Sequence, residues 1–313
     1  MKNNKTLLHI GCNAGSESMP KYFREQCDYT ELLLNGYLAD NLNSLIDLDK
    51  TPDIIFIQIQ SDTIAGRNSN TFIGDQIRYF KNNGSFVINW TGDMRGNTPR
   101  WMTQFAHNVS ATMFSNLKDV EFFKSAGMPT GFLQQGIDTN IFTPEGDKAD
   151  VPDIVFLANN YANQFPLSRY RRNAVNRLRA HYGNRFKVFG NGWGSDSGNV
   201  NSSQYEESKV YRGCKIAISI SHFDADRYFS DRLGRAMCSG AMVLSHNYQG
   251  LERDFEVENH LDIFGNLDEM VSSIDYYLAN DDKRKEIAKS GQEHASKEFS
   301  YQNVVKQIIE LGS

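Results

Sequence analysis

Short apolar runs alternate with longer amphipathic segments along the whole chain, which predicts parallel β-sheets covered by helices. In the first half, the apolar runs predict strands at Leu7–Gly11, Asp53–Gln58, Ser85–Asn89, Ala111–Ser115 and Gly131–Gln134. The segments between them fit helices at Met19–Gln26, around Leu32–Leu48, at Thr71–Asn82 and at Leu117–Ala126. This alternation is typical of a doubly wound α/β domain.

The same pattern restarts after Asp147–Pro152, a polar stretch that ends in proline and that we interpret as a linker. Strands are predicted at Ile154–Ala158, Phe186–Phe189, Ile216–Ile220 and Met242–Leu244, and helices at Leu167–Tyr182 and Tyr301–Leu311. A chain of 313 residues exceeds what one hydrophobic core usually serves. We therefore expect two doubly wound domains, with ligands at the carboxyl ends of their strands.

The segment Arg227–Ser245 reads as a loop, a short helix, a glycine stop and a buried strand. Ser230 is a good N-cap, and Gly240 stands where a left-handed C-cap belongs. The N-terminus of such a helix, at the end of a parallel sheet, favours anions. Arg232 lies in the first turn, where a positive charge interacts unfavourably with the helix dipole. A bound phosphate that pairs with this arginine would explain its presence. The segment predicts a ligand site.

The same segment carries a family resemblance. Arg235–Leu244 resembles the E-A-M-A-C-G-x-P-V-V signature of group 1 glycosyltransferases, which have the two-domain GT-B fold. Gly250–Phe255, Leu267–Tyr301 and Thr130–Pro144 (TGFLQQGIDTNIFTP) are similar to other segments of that family, and most of all to its spore-maturation-type or phage-encoded subgroup. The resemblance implies two Rossmann-like domains facing a central cleft, residues 1–148 and 149–298, with a C-terminal helix in residues 299–313 that crosses back to the first domain.

Two positions depart from the family pattern. The family has two glutamates eight residues apart, and this chain has Arg227 and Arg235 there. The second glutamate normally holds the donor's ribose. Asp231 lies one turn before Arg235 and could substitute for it. Alternatively, Asp231 and Arg235 form an i,i+4 ion pair worth about 0.3 kcal/mol.

Glycine-rich loops follow two predicted strands. In Gly11–Ser16, Gly15 either lets a donor approach the backbone or belongs to a plain tight turn. The second loop, Gly190–Gly194, lies beside the donor nucleotide according to the resemblance, which assigns Gly192 to the donor. Trp193 either stacks on a base or caps the domain core.

Basic and acidic side chains supply further candidates. Arg169 opens the densest basic stretch of the chain, and the resemblance implies that a basic residue near this point holds the diphosphate. The alternative is a solvated helix surface. His222, at the end of a buried strand, either contacts the donor or is a satisfied buried histidine. Asp93 follows the strand Ser85–Asn89 and binds an acceptor hydroxyl, acts as a base, or caps a turn.

Composition and charge limit the kinds of partner and cellular location that we expect for this protein. The net charge of −5 argues against a general nucleic-acid binder. The four cysteines are scattered and read as reduced thiols. The apolar run after Lys5 is too short for a signal peptide, and no apolar run could span a membrane, so we expect a cytoplasmic protein. Asp224-Ala225-Asp226 has the letters of a metal-binding pair but follows a strand of the second domain, and we expect no metal or other cofactor.

The resemblance therefore implies a retaining, metal-independent glycosyltransferase that uses a nucleotide-diphosphate sugar, with a UDP-sugar favoured and the acceptor unidentified. The catalytic candidates are Asp93 and Arg232. The donor-binding candidates are Gly15, Arg169, Gly192, Trp193, His222, Ser230, Asp231 and Arg235. Two alternatives stay open: a phage-type enzyme that decorates a modified DNA base, and a non-catalytic protein that binds a sugar nucleotide or a glycan.

Overall fold

The computed structural model describes residues 4–11, 18–33, 37–58, 73–200 and 203–312. The chain forms two compact units, Met1–Gly136 with Tyr301–Ser313, and Ile137–Ser300. Each unit is built on its own parallel sheet.

In the described residues of the first unit, six parallel strands lie in the order β2-β1-β3-β4-β5-β6. They are β1 (Thr6–Gly11), β2 (Asp28–Leu33), β3 (Ile54–Ile57), β4 (Phe86–Thr91), β5 (Ala111–Phe114) and β6 (Thr130–Phe132). The helices described are α1 (Ser18–Gln26), α2 (Leu38–Asp47), α3 (Gly74–Asn82), α4 (Arg100–Ala106), α5 (Leu117–Ser125) and, from the end of the chain, α11 (Tyr301–Leu311).

The C-terminal helix α11 completes the core of the first unit. Its apolar stripe, including Val305 and Ile308, packs with Phe23 of α1 and with Phe56 of β3. All four of these side chains are fully buried. The helix thus supplies one face of the sheet with apolar cover that the preceding segments of this unit leave incomplete.

The second unit has five described strands in the order β11-β10-β9-β7-β8, all parallel. They are β7 (Ile154–Leu157), β8 (Phe186–Phe189), β9 (Ile216–Ser219), β10 (Met242–His246) and β11 (Asp262–Phe264). The helices are α6 (Ser168–Tyr182), α7 (Gln204–Gly213), α8 (Asp231–Cys238), α9 (Leu267–Ala279) and α10 (Asp281–Glu298). Two buried clusters, one on each face of the sheet, form its core.

Every strand that the sequence predicts is present, with ends that differ by up to two residues. The prediction of a helix around Leu32–Leu48 is wrong in its first part, because β2 runs to Leu33 and α2 begins only at Leu38. Strand β2 lies at the edge of the sheet, and its exposed and half-buried side chains lack the apolar run of a central strand. The sequence also predicts a helix at Thr71–Asn82. Residues 71–72 lie outside the described part of the chain, and the described helix α3 begins at Gly74.

The chain enters the second unit earlier than the polar linker indicates. Ile137 and Phe142 are buried in the core of that unit, and the backbone N–H of Ile137 donates to the carbonyl of Phe299 at 2.8 Å. Residues 137–148, which the sequence prediction gave to the first domain, therefore belong to the second unit. The polar stretch shows only that the chain is exposed to solvent there, whereas the domain boundary is set by apolar contacts, which begin earlier in the chain.

Candidate functional site

Helix α8 opens at the carboxyl end of the central strands in the second unit. Ser230 is its N-cap, and the Ser230 hydroxyl accepts from the backbone N–H of Arg232 at 3.3 Å. Gly240 ends the segment with φ +84°, in the left-handed region that a C-cap glycine takes. The local structure is the one predicted from the sequence, a short helix between a serine N-cap and a left-handed glycine.

A narrow recess lies at this helix end. Its lining comes from the carboxyl ends of β7 and β9, the start of α8, and neighbouring side chains: Phe156, Leu157, Tyr211, Ala217, Ile218, Ser219, Ile220, Ser230, Arg232, Leu233, Ala236 and Val243. Arg232 is the charged residue of this lining, and it forms no ion pair with any described residue. The recess therefore has a positive wall.

Arg171 of α6 adds a second cation beside the recess. Its guanidinium carbon lies 5.4 Å from the ring centre of Phe156, which lines the recess. The residue is only 2% exposed, and its Nε and Nη2 atoms are buried without a hydrogen-bond partner. Its Nη1 atom donates to the ring of His222. A buried cation without a carboxylate costs several kcal/mol, which a bound anion would offset.

The charges in this cluster influence one another. Burial, and next the charge of Arg232, lowers the pKa of Arg171 to about 9, so the guanidinium still carries its proton at neutral pH. Burial and the two arginines lower the pKa of His222 to about 3, so the imidazole is neutral. Two arginines and a neutral histidine therefore lie close together, and Arg171 forms no ion pair with a described carboxylate. This arrangement is suited to a phosphate or diphosphate.

Arg235 is committed to two carboxylates. It forms ion pairs with Asp231 at 2.6 Å and with Glu207 of α7 at 2.9 Å. Burial raises the pKa of Glu207, and Arg235 opposes this rise. Burial also works against the charge of Asp231, but Arg235 and Arg232 outweigh it and lower the pKa of Asp231. Of the two sequence hypotheses, the structure shows the Asp231–Arg235 pair, and it adds Glu207, which the sequence pattern did not reveal.

Arg227 ties two loops together. Its guanidinium forms a two-pronged pair with the buried carboxylate of Asp254, at 2.7 to 3.1 Å. Its backbone N–H donates to the carbonyl of Gln249 at 2.7 Å, and its φ of +53° is unusual for a residue other than glycine. These contacts join the loops after β9 and β10. Arg227, which stands where the resembling family has a glutamate, therefore has a structural role.

Two predicted donor residues, Trp193 and Gly192, serve the packing of the second unit. Trp193 is 8% exposed, lies in a core cluster against Phe156, and donates its indole N–H to the carbonyl of Ala158. The ring caps the core, as the second of the two sequence interpretations stated, and stacking on a base stays a prediction. A Cβ on Gly192 (φ +82°) would lie 2.5 Å from the carbonyl oxygen of Asn160, so glycine lets the loops after β7 and β8 touch.

Arg169 lies on the exposed side of α6, whereas Arg171 of the same helix is buried beside the recess. The sequence analysis chose Arg169 as the candidate for the diphosphate, but the helical period places Arg171 on the inward face of α6. Arg169 is therefore on the solvated surface, as its alternative interpretation stated. The signal that could have distinguished them is the apolar face formed by Ala174, Val175 and Leu178, with which Arg171 is aligned.

In the first unit, Asp93 is exposed just after β4, at the carboxyl edge of the sheet. The neighbouring hydroxyl of Thr91 is buried without a hydrogen-bond partner. The carbonyl of Gly92 accepts from the hydroxyl of Ser115 at 2.6 Å. Gly15 and its loop lie outside the described residues. The turn that carries Asp93 is thus anchored.

Among the described residues, no group of three or more histidine, cysteine, aspartate or glutamate side chains is placed to hold a metal ion. None of the described helices is both long enough and apolar enough to span a bilayer.

Comparison with known proteins bears on both units. Residues 169–310 match the family model described as glycosyl transferase-like. No curated protein matches the chain significantly. Among solved structures, the chain is similar to sucrose-phosphate synthase from Thermosynechococcus elongatus, with 10% identity, 98% of each chain covered and a TM-score of 0.68. It is also similar to HepE from Anabaena, with 11% identity, coverage of 98% and 99%, and a TM-score of 0.67.

A glycosyltransferase from Rickettsia africae is a third similar structure, with 13% identity, coverage of 99% and 98%, and a TM-score of 0.63. At these identities the likeness establishes the fold, and the family match adds the activity class. The predictions of a GT-B fold and of a glycosyltransferase are confirmed. The assignment to the spore-maturation-type or phage-encoded subgroup stays a prediction. The chain has the GT-B fold and carries a glycosyl transferase-like domain in residues 169–310.

Proposed function

We propose that this protein transfers a sugar from a UDP-sugar to an acceptor, with the donor diphosphate in the recess at the start of α8. The observation that carries the proposal is the buried guanidinium of Arg171, whose Nε and Nη2 atoms have no hydrogen-bond partner, beside Arg232, which lines the recess. A nucleotide diphosphate supplies the missing negative charge. The solved structures of HepE, which contain UDP-glucose or UDP, support the choice of UDP.

Cleavage of the bond between sugar and diphosphate leaves negative charge on the departing nucleotide. We propose that Arg232 and Arg171, together with the dipole of α8, stabilise that charge. We propose that these groups perform the task a divalent cation has in other sugar transfers, so that catalysis needs no metal. We further propose retention of the anomeric configuration, in which stabilisation of the leaving group dominates.

Asp231 and Arg235 have linked roles in this proposal. Arg235 holds Asp231 in place, and Asp231 also accepts from the hydroxyl of Ser230 at 3.0 Å. Asp231 is then the group proposed to accept a hydroxyl of the donor, and Arg235 is a positioning residue. Asp93 in the first unit remains the residue proposed to contact the acceptor.

A thermal-shift panel with UDP, GDP, ADP and dTDP tests the donor site first. We expect stabilisation by UDP and a smaller effect of the other three. Titration of the Arg232→Ala variant with UDP should show a loss of affinity of about tenfold or more, since an arginine–phosphate contact contributes about 1.5–3 kcal/mol. The matched control is Arg169→Ala, which removes an exposed arginine of the same unit and should bind UDP as the natural protein does.

Incubation with UDP-glucose in the absence of an acceptor separates an enzyme from a binding protein. Slow release of UDP, lost in Arg232→Ala, supports transferase chemistry. Binding without any release of UDP, over days and at high protein concentration, would favour the non-catalytic alternative. Full affinity of Arg232→Ala for UDP would overturn the assignment of the phosphate site.

A further inference from the structure

The imidazole of His222 is held in a fixed position beside the recess. Two aromatic rings pack against it, Phe165 with 4.5 Å and Tyr161 with 5.3 Å between ring centres. The backbone N–H of Leu167 donates to the carbonyl of His222 at 3.1 Å, and Arg171 donates to its ring. His222 is thus a part of the site whose position does not depend on a ligand.

Two charged residues and an aromatic ring, each from a different part of the chain, surround His222. Arg171 belongs to α6 and Arg232 to α8, and both repel a proton on the ring. Tyr161, from the loop after β7, offers an aromatic ring. Asp224 and Asp226 follow His222 in its own loop, and neither forms an ion pair with it. Without a ligand, the imidazole is therefore an acceptor between two cations.

We propose that His222 takes up a proton when the donor diphosphate binds in the recess, so that donor binding and protonation are coupled. The inference rests on the proposed function. A diphosphate accepts hydrogen bonds from Arg171 and so draws its guanidinium away from the imidazole. The ring nitrogen that accepted from Arg171 then takes a proton from the solvent and donates it in a hydrogen bond to a phosphate oxygen. No bond of the donor breaks in this step.

The electrostatics of the site give the direction of the effect. Burial and the two arginines hold the pKa of His222 at about 3 in the free protein. A bound diphosphate neutralises the arginines and adds an opposite charge at contact distance, which raises a histidine pKa by about 1–3 units for each such charge. By linkage, donor affinity then increases as the pH falls, by at most about tenfold per pH unit.

Calorimetric titration with UDP-glucose tests the coupling. This probe is chosen because its diphosphate has no group that titrates near neutral pH, whereas the terminal phosphate of UDP titrates at a pH of about 6. Titrations at pH 6.5 in buffers of different ionisation enthalpy give the number of protons taken up. We expect about half a proton or more per bound UDP-glucose, and a dissociation constant that decreases between pH 8 and pH 6.

Two variants locate the proton. His222→Gln cannot protonate near neutral pH and should abolish the uptake and flatten the pH dependence. The control His246→Gln changes another half-buried histidine, whose ring centre lies 5.1 Å from that of Tyr170, and should leave the uptake unchanged. If His222→Gln does not fold, the measurements on the natural protein still decide whether uptake occurs.

The outcomes separate this inference from the proposed function. Binding of UDP-glucose without proton uptake by the natural protein rejects the inference and leaves the donor site intact. Uptake that persists in a folded His222→Gln variant rejects it as well, since the proton then goes elsewhere. Absence of binding at every pH rejects the UDP-sugar site and the inference together.

Discussion

At the scale of single residues, the burial of a charged side chain decides its effect on stability and binding, and neighbours in the sequence can differ completely in burial. Arg169 and Arg171 are two residues apart on one helix, yet the first is exposed and the second is 2% exposed. A solvated arginine has little influence on stability. A buried and unpaired one lowers the stability of the free protein and is retained where it binds an anion.

Replacing Arg171 with methionine should therefore separate stability from binding. Methionine fills much of the same space without a charge, so we expect the free energy of unfolding to increase by about 1–3 kcal/mol. UDP affinity should fall by about tenfold or more. Urea denaturation and calorimetric titration measure the two effects. Arg169→Met is the control, with neither value changed; an Arg171→Met protein that is destabilised and binds UDP normally would contradict the assignment.

A second residue-scale prediction concerns acid. His9 is buried and His222 is half-buried, and loss of hydration lowers the pKa of both below the ordinary 6.5. The unfolded chain thus binds more protons than the folded chain once the pH falls below about 6.5, and stability decreases from there. Denaturation curves at pH 7.5, 6.5 and 5.5 should show this loss.

His222→Gln should reduce the slope of stability against pH in that window, because one histidine that titrates on unfolding is removed. An unaltered slope in His222→Gln would contradict a neutral His222 in the free protein.

At the scale of elements, the site depends on how loops meet at the ends of the strands. The loops after β7 and β8 are joined by Asn160, whose backbone N–H donates to the carbonyl of Asn191 and whose side chain donates to that of Gly192, at 2.8 and 2.9 Å. Arg227 joins the loops after β9 and β10 in the same manner. Loops fixed to each other keep the groups around a ligand in place.

Gly192→Ala should disrupt the first of these junctions. The new methyl group would meet the Asn160 carbonyl, and the backbone there has φ +82°. We expect a loss of about 2–4 kcal/mol in the free energy of unfolding, together with weaker UDP binding. Gly127→Ala is the matched control: its φ is +72°, at the C-terminal end of a helix, and no atom lies within 4 Å of the added Cβ. It should lose only about 1 kcal/mol, from backbone strain. Equal losses in thermal or urea unfolding would show that the contact has no role.

At the scale of the whole molecule, the first unit is built from two distant parts of the chain. Residues 301–313 belong to it, after the whole second unit has intervened. The apolar face of α11 covers buried residues of α1 and β3. The first unit is therefore complete only when both ends of the chain have folded.

Removal of residues 301–313 should destabilise the first unit selectively. Four buried apolar side chains of α11, Val304, Val305, Ile308 and Ile309, would be lost, and their burial contributes about 1.5–3 kcal/mol each. Hydrogen exchange should show reduced protection in β1, β3 and α1, with protection of the second unit retained. Loss of protection in both units alike would contradict this division.

The sequence by itself determined the two-domain α/β plan, most strand positions and the short helix with its caps. These depend on local apolar periodicity, on a serine N-cap and on a glycine with positive φ, all of which act between near neighbours. Strand β2 escaped prediction because an edge strand lacks the apolar run of a central one. The resemblance around Arg235–Leu244 added the family of the second domain.

Only the tertiary structure decided which charges remain unpaired. It placed Glu207 of α7 against Arg235 of α8, and Asp254 against Arg227, so two conspicuous arginines are neutralised by partners far away in sequence. It left Arg171 and Arg232 without such partners at one recess. Ion pairing and burial depend on distances between separate elements, and a local pattern contains no information on these distances.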